Sequence, residues 1–181
     1  MGYSTETPME SAWRDARIAR IYEGTNEINK LVIIGMIIKK ALKGHLNLIE
    51  KAEDVANELT DIPSFDIPEF DELFSEEKYV IKNLKKVFLM LAGAGMKKFG
   101  MDLEKEQEVL LRISEIIIEI YMSESAILRT EKNSKRFGLE NQSSQIAMSK
   151  LYLYESCELI IKKAKELIVS LSDGSEQKFL L

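Results

Sequence analysis

The chain has 181 residues, of which 45% are hydrophobic, and a formal net charge of −5. This length and composition support one globular domain, or two small ones, with a sizeable core. The acidic balance disfavours a nucleic-acid partner, because such proteins carry a basic stripe on their surface. The longest apolar run, residues 31–38, is far shorter than the roughly 18 to 20 residues of a membrane-spanning helix, so we expect no segment to cross a bilayer.

Three prolines and nine glycines are all that interrupt long stretches rich in leucine, isoleucine, glutamate, lysine and alanine. These residues favour helix, so the sequence predicts an all-α protein. Cys157 and His45 are each the single member of their residue type. A lone cysteine forms neither an intramolecular disulfide nor a cysteine zinc site, and we expect it to be buried. We therefore expect no metal site and a reducing compartment such as the cytoplasm.

The first two predicted helices lie close together in the sequence. Thr7 is the predicted N-cap of the first, which begins at Pro8 and extends to about Ile21. The second begins near Asn26 and ends at Gly44. Its apolar residues extend almost all round the helix, so later helices or a second copy of the chain must cover it. Its predicted buried face consists of Ile28, Leu31, Val32, Gly35, Ile38 and Leu42.

A shorter amphipathic helix over about residues 46–59 comes next, followed by a proline-containing loop in which Phe65 and Phe70 are predicted to be buried. Residues 50–77 carry eleven acidic side chains and a single lysine, Lys51. Such a segment would be repelled by an anionic lipid surface, which argues against peripheral membrane binding.

Three long helices are predicted in the last part of the chain, and short turns make an antiparallel bundle the simplest arrangement. They begin near Ser75, Glu104 and Ser143, and we expect Gly93 and Gly95 to mark close packing against another backbone. The predicted apolar face of the second consists of Leu110, Ile113, Ile117, Ile120, Tyr121 and Leu128. That of the third consists of Ala147, Leu151, Tyr154, Cys157, Ile161, Ala164 and Ile168.

The predicted loop between the first two helices reads Ile-Tyr-Glu-Gly-Thr-Asn-Glu-Ile over residues 21–28, after Arg-Asp-Ala-Arg-Ile over residues 14–18. Together with Gly2-Tyr3 and Glu6-x-Pro8, this order and spacing resembles the catalytic segment of the acyl-CoA dehydrogenases. The family usually has Gly-Gly-x-Gly-Tyr upstream, where this chain has only Met1-Gly2-Tyr3. We interpret Met1 as the start of a truncated reading frame and expect the chain alone to be colourless and inactive.

The resemblance implies a role for each residue of the loop. Glu23 would be the base that removes the proton next to the thioester carbonyl of an acyl-CoA, while FAD takes hydride from the neighbouring carbon. Gly24 would let the substrate approach closely. Thr25, Asn26 and Glu27 would contact the adenosine portion of FAD, although some relatives have glutamine where this chain has Glu27. The resemblance also implies electron-transfer flavoprotein as the electron acceptor.

A looser similarity concerns the later helices. Glu106-Gln107-x3-Leu111, Ile120-Tyr121 and the helix to Arg129 resemble the extra C-terminal domain of the very-long-chain branch, which implies a homodimer. The predicted organisation is then residues 1–44 as the end of the dehydrogenase C-terminal helical domain, 45–75 as a helix and acidic linker, and 76–181 as an appended three-helix bundle. The alternative function is a non-catalytic dimerisation or partner-docking module.

The residues alone leave a second interpretation open for the loop. Without the surrounding motif, Glu23 just before a helix is more often a solvated acid that stabilises the helix dipole. Arg14, Asp15 and Arg17 are expected to fix the loop through ion pairs and caps rather than to contact substrate.

Overall fold

The computed structural model describes residues 4–60, 69–172, 174 and 177. Within these residues all regular secondary structure is helical, as the sequence predicts. The α-helices are α1 (Met9–Ala19), α2 (Asn26–Leu42), α3 (Leu48–Thr60), α4 (Ser75–Phe99), α5 (Gln107–Phe137) and α6 (Ser143–Leu171). Two short 3-10 helices, Gly100–Lys105 and Glu140–Gln142, lead into α5 and α6. Helix α5 therefore begins about three residues later than predicted.

Helices α4, α5 and α6 form the predicted antiparallel bundle, and ion pairs show the direction of its first two helices. Lys78 of α4 pairs with Glu131 of α5 at 2.7 Å, and Lys85 pairs with Glu124 at 2.6 Å. Residue numbers rise along α4 as they fall along α5, so the two helices run antiparallel. The core between the three helices is aliphatic and includes Leu91, Ile113, Ile120, Ile160 and Leu167, each at most 2% exposed.

Small polar side chains lie in the contact between α5 and α6. Ser123 of α5 is fully buried, and Ser156 of α6 is 2% exposed. Thr130 and Ser149 share a buried hydrogen bond of 2.8 Å across the two helices. Side chains of this size let two helix backbones approach closely, and the hydrogen bond compensates for removing two hydroxyls from water.

Part of the predicted buried face of α6 is wrong, because α6 packs against α5 through a different side. Leu151, Tyr154 and Ile161 are 57%, 66% and 47% exposed. The buried residues are instead shifted round the helix by about one position and include Leu153 and Ile160. Tyr121 and Leu128 of α5 are likewise 66% and 50% exposed. Both helices carry two apolar stripes, and the serines identify the stripe that is buried.

Helix α2 packs along α5 through one side only. Ile34, Ile38 and Ala41 are buried, and the two isoleucines belong to the apolar core of the bundle. Ile28 and Val32, predicted to be buried, are 54% and 56% exposed. Within the described residues, the later helices therefore cover one side of α2 and leave the other uncovered.

The ends of the first two helices also differ in part from the prediction. Helix α1 begins at Met9 with Pro8, not Thr7, at the N-cap position, and it ends at Ala19. It buries no residue, and its Trp13 is 55% exposed. Helix α2 ends as predicted, because Gly44 has a φ of 71° and its N–H and that of the next residue bond back to carbonyls of the last turn.

Helix α3 packs against α4 at a glycine. A Cβ built on Gly93 would lie 3.0 Å from the Cβ of Ala52, so the predicted close packing at this glycine is confirmed. In the loop that precedes α4, Phe70 is 37% exposed, with its ring centroid 5.8 Å from that of Tyr79. The prediction for Phe65 lies outside the described residues.

Candidate functional site

The turn between α1 and α2 has a defined backbone that begins where α1 ends. The N–H groups of Ile21 and Tyr22 both donate to the carbonyl of Ile18, at 2.9 and 3.3 Å. The N–H of Asn26 then donates to the carbonyl of Arg20 at 3.2 Å, which joins the two ends of the turn. Because both ends are tied, the residues between them are held as a compact loop that projects from the helices.

Glu23 lies in this loop with a backbone conformation that is unusual for its residue type. Its φ is 55°, and that of Gly24 is 95°. Glycine adopts positive φ without cost, whereas a residue with a Cβ pays of order 1 to 2 kcal/mol in this region. Strained non-glycine residues are enriched at functional sites. The described residues include one other, Phe74 with a φ of 65°, but its side chain is buried whereas that of Glu23 is exposed.

Asn29 holds the loop from the first turns of α2, and the sequence analysis did not identify it. Its side-chain N–H donates to the carbonyl oxygen of Gly24 at 2.9 Å. Its Oδ1 would lie 3.0 Å from a Cβ built on Gly24, so the amide is packed closely against the glycine. No sequence pattern indicates this contact, because it depends on the left-handed turn that brings residue 24 back over α2.

Thr25 and Glu27 order the start of α2. The Thr25 hydroxyl oxygen accepts a hydrogen bond of 3.3 Å from the N–H of Ile28, which makes Thr25 the N-cap. The pKa of the Glu27 carboxyl is lowered by hydrogen bonds from its own backbone N–H and from Thr25, and then by the charges of Lys30 and Arg20. Glu27 is therefore ionised at neutral pH and can only accept hydrogen bonds from a ligand.

Five consecutive predicted site residues thus share one edge of the molecule. The side chains of Glu23 and Glu27 are exposed, while Gly24, Thr25 and Asn26 are half-buried. Nearby, Arg14 pairs with Glu10 at 2.8 Å, one turn earlier in α1. The fixing of the loop by ion pairs of Arg14, Asp15 and Arg17 stays a prediction.

The uncovered side of α2 extends away from this edge as an open groove. Its volume is about 610 Å³, and it is lined by Val32, Met36 and Leu42 together with the lysines at positions 39 and 43.

A set of charges connects α2 with α5 and α6. Lys30 pairs with Glu115 of α5 at 2.8 Å, and Lys163 of α6 pairs with the other oxygen of Glu115 at 3.1 Å. Burial alone would raise the pKa of Glu115, but the hydrogen bonds and charges of the two lysines outweigh it and lower the pKa. No sequence pattern indicates this set, because 85 positions separate Lys30 from Glu115.

Residues 4–60 and 69–172 contain neither a candidate metal site nor a candidate membrane span. No three or more histidine, cysteine, aspartate or glutamate side chains lie close enough together there to hold a metal ion. No helix in that part of the chain is both long and apolar enough to cross a membrane.

Comparison with known proteins gives the same family for both ends of the chain. Two family models described as the C-terminal domain of acyl-CoA dehydrogenase match residues 1–38 and 83–181. A probable acyl-CoA dehydrogenase of Bacillus subtilis is 37% identical over 99% of this chain, which corresponds to 30% of that protein. The mitochondrial short-chain specific acyl-CoA dehydrogenase of Sus scrofa is 62% identical over 39 residues, or 22% of this chain and 9% of that protein.

The fold agrees with these sequence matches. The crystal structure of an acyl-CoA dehydrogenase complexed with FAD from Bacillus anthracis superposes with a TM-score of 0.85 and 38% identity, over 99% of this chain and 30% of that one. The chain thus spans about 30% of the length of its full-length Bacillus relatives. The family models together cover most of its residues, including the loop with Glu23 and the three-helix bundle. The chain belongs to the acyl-CoA dehydrogenase family.

Proposed function

We propose that this chain is the C-terminal, base-bearing part of an FAD-dependent enzyme that introduces a double bond between the α and β carbons of acyl-CoA thioesters. The observation that carries this proposal is the strained backbone of Glu23, which presents a carboxylate at the tip of a fixed, exposed loop. Glu23 removes the α-proton, and the electrons of that C–H bond form the new carbon–carbon double bond as hydride leaves the β-carbon.

The backbone of the loop contributes to the same step. The N–H of Glu23 is the donor we assign to the thioester carbonyl oxygen, where negative charge develops as the α-proton leaves. Gly24 is the proposed substrate contact through its backbone, because the space where a Cβ would lie is already occupied by the Asn29 amide. The hydrogen bond from Asn29 to the Gly24 carbonyl keeps the Gly24–Thr25 peptide in one orientation.

FAD supplies the hydride acceptor when bound, and the chemistry of the described residues fits one edge of that cofactor. The ionised Glu27 suits a hydroxyl or amino group of the adenosine portion and would repel the diphosphate. Thr25 already caps α2, so we assign it an indirect role in holding Glu27. Asn26, half-buried beside them, completes this edge.

Several wider assignments depend on this activity. We propose acyl-CoA as the substrate, electron-transfer flavoprotein as the electron acceptor, fatty-acid β-oxidation as the process and the cytoplasm as the location. The division into residues 1–44, 45–75 and 76–181 remains part of the same proposal. The exposed side of α2 and Trp13 of α1 are the surfaces we assign to the remainder of a full-length dehydrogenase.

The activity is tested in a chimera in which residues 1–181 replace the matching part of the Bacillus subtilis relative. We expect Glu23→Gln to slow flavin reduction by acyl-CoA at least about 100-fold under anaerobic stopped-flow conditions, because glutamine cannot take the proton. Glu53→Gln, an equivalent change at an exposed position of α3, should leave the rate unchanged. A near-normal rate of flavin reduction in the Glu23→Gln chimera would contradict the proposal.

The 181-residue chain itself gives a second test. We expect it to purify without flavin absorbance and to show no oxidation of acyl-CoA, because most of the residues that surround substrate and flavin in a dehydrogenase of full length lie elsewhere. A stoichiometric flavin spectrum of this chain would contradict that expectation.

The second candidate function is assembly of two copies through the bundle. Leu151, Tyr154 and Ile161 lie on one side of α6, and all three are strongly exposed. Such a stripe is typical of a surface that binds another protein. We expect the chain to sediment as a dimer and Leu151→Glu with Tyr154→Glu to give a monomer. Gln145→Glu, which adds charge at an exposed polar position, is the control, and an unchanged dimer in the double variant would exclude this face.

A further inference from the structure

The ion pairs between α2, α5 and α6 lie close to the loop that carries Glu23. Lys30 follows Asn29 directly, and Asn29 binds the Gly24 carbonyl. The turn of α2 that holds the loop is therefore the turn that Glu115 holds through Lys30. A continuous series of contacts runs from the bundle to the residue next to Glu23.

Apolar packing alone fixes this end of α2 weakly. Ile34 is the first fully buried side chain of the helix, and it lies one turn beyond Lys30. Before it, Ile28 and Val32 are more than half exposed, and Leu31 is only partly buried against the core. The Lys30–Glu115 pair is therefore the polar contact that fixes the first turns of α2 against α5.

Glu115 is well placed to act as a fixed anchor. Its side chain is 23% exposed, and those of Lys30 and Lys163 are 27% and 20% exposed, so solvent screens the pairs only in part. Arg112 lies 4.0 Å from the same carboxylate and pairs with Glu166 of α6 at 2.9 Å. A carboxylate paired with lysines from two other helices has few alternative positions.

We propose that Glu115 positions the loop carrying Glu23 by holding Lys30, so that the appended bundle sets the geometry of the candidate active site. Glu115 and Lys30 are positioning residues in this view and contact neither substrate nor cofactor. The catalytic role of the bundle in this inference rests on the proposed function. The anchoring of α2 by Glu115 does not. The anchoring itself can be measured without any activity.

The first test is amide hydrogen exchange on the 181-residue chain. We expect Lys30→Met, which keeps the length and apolar stem of the side chain, to speed exchange at residues 26–33 about fivefold, as loss of an ion pair worth about 1 kcal/mol would do. Glu115→Gln should have the same effect, and Lys30→Arg should keep the protection. Lys85→Met is the matched control, because it removes a similar pair between α4 and α5 that does not involve α2.

Two results would overturn the anchoring. One is unchanged exchange at residues 26–33 in both Lys30→Met and Glu115→Gln, and the other is equal loss of protection there in Lys85→Met. In the chimera, we expect Lys30→Met to lower kcat several-fold with little change in KM, and Lys30→Arg to restore it. An unaltered kcat in Lys30→Met would show that the bundle does not position the loop for catalysis.

The outcomes separate this inference from the proposed function. If Glu23→Gln keeps its activity, the proposed function fails while the exchange result still decides whether Glu115 anchors α2. If Lys30→Met does not change exchange at residues 26–33, the inference that Glu115 anchors α2 is wrong. The assignment of Glu23 as the base is not affected by that result.

Discussion

The side-chain amide of Asn29 donates a hydrogen bond of 2.9 Å to the carbonyl oxygen of Gly24, while its own oxygen would lie 3.0 Å from a Cβ built on that glycine. The contact spans five positions and folds the loop back onto α2. It fixes the peptide that joins Gly24 to Thr25, one peptide beyond Glu23, whose side chain is exposed.

Replacing this amide should therefore disturb the loop without disturbing the fold. Asn29→Asp has nearly the same size but lacks the N–H donor and places a carboxylate against a carbonyl oxygen. We expect flavin reduction in the chimera to slow about tenfold, the cost of one hydrogen bond of about 1.4 kcal/mol. The rate of flavin reduction should fall less in Asn29→Gln, which keeps the N–H donor. Full activity in Asn29→Asp would show that the loop holds its shape without this bond.

Two helical glycines should respond to alanine in opposite directions. Gly93→Ala forces a methyl group to within 3.0 Å of Ala52, so we expect α3 to shift and the free energy of unfolding to fall by about 1 to 3 kcal/mol. Gly35 of α2 has open space around it, and Gly35→Ala should raise the free energy of unfolding by up to about 1 kcal/mol. Urea denaturation followed by circular dichroism measures both, and the same sign for the two variants would contradict the packing described.

Acid should release α2 from the bundle through Glu115. Its folded pKa lies below the ordinary value, so its contribution to stability is present above that ordinary value and is lost as pH falls through the lowered one. Protonation removes its pairs with Lys30 and Lys163.

Amide exchange, corrected for its intrinsic pH dependence, measures this effect. We expect protection at residues 26–33 in the native chain to stay constant from neutral pH down to the ordinary carboxyl pKa and to decline only as pH falls further, through the lowered pKa of Glu115. Glu115→Gln should show low protection throughout that range. A pH-dependent decline of the same size in the glutamine variant would assign the effect to another group.

Cys157 should be a slow nucleophile. Burial raises the pKa of its thiol, and the charge of Glu158 raises it further, so little thiolate is present near neutral pH. We expect iodoacetamide at pH 8 to modify the folded chain several-fold more slowly than the same chain in urea, with mass spectrometry as the readout. Because the sequence has one cysteine, the modified mass reports this thiol alone. Equal rates in both states would mean that the thiol is freely accessible.

Much of the fold follows from local sequence signals. Gly44 ends α2 as predicted, and Thr25 caps the same helix where the sequence places its start. A glycine with positive φ ends a helix, and a hydroxyl at the N-cap begins one, through contacts within a few residues. The local sequence is therefore enough to predict both. The loop at residues 20–25 could be predicted for the same reason, because its motif is a run of neighbouring residues.

The errors arise where packing selects between two similar stripes. A hydrophobic pattern places the polar Ser156 on the exposed side of α6 and therefore predicts that Leu151 and Tyr154 are buried, whereas the structure shows the reverse. Against α5 a serine is favoured for its small volume, and no hydrophobic pattern contains that information. Asn29 and Glu115 were missed for a related reason, since their partners are chosen by tertiary geometry and not by spacing.

Under the proposed function, the left-handed backbone at Glu23 sets stability against activity at a single position. Glycine, and to a lesser degree asparagine, occupies this conformation at lower cost than glutamate. Selection for stability alone would therefore drive the position away from glutamate, and a thermostability screen of this chain should recover such replacements there. Engineers who aim for a more robust dehydrogenase should then exclude residue 23 from that search, because the residues that fit this backbone best have no carboxylate for the proposed proton transfer.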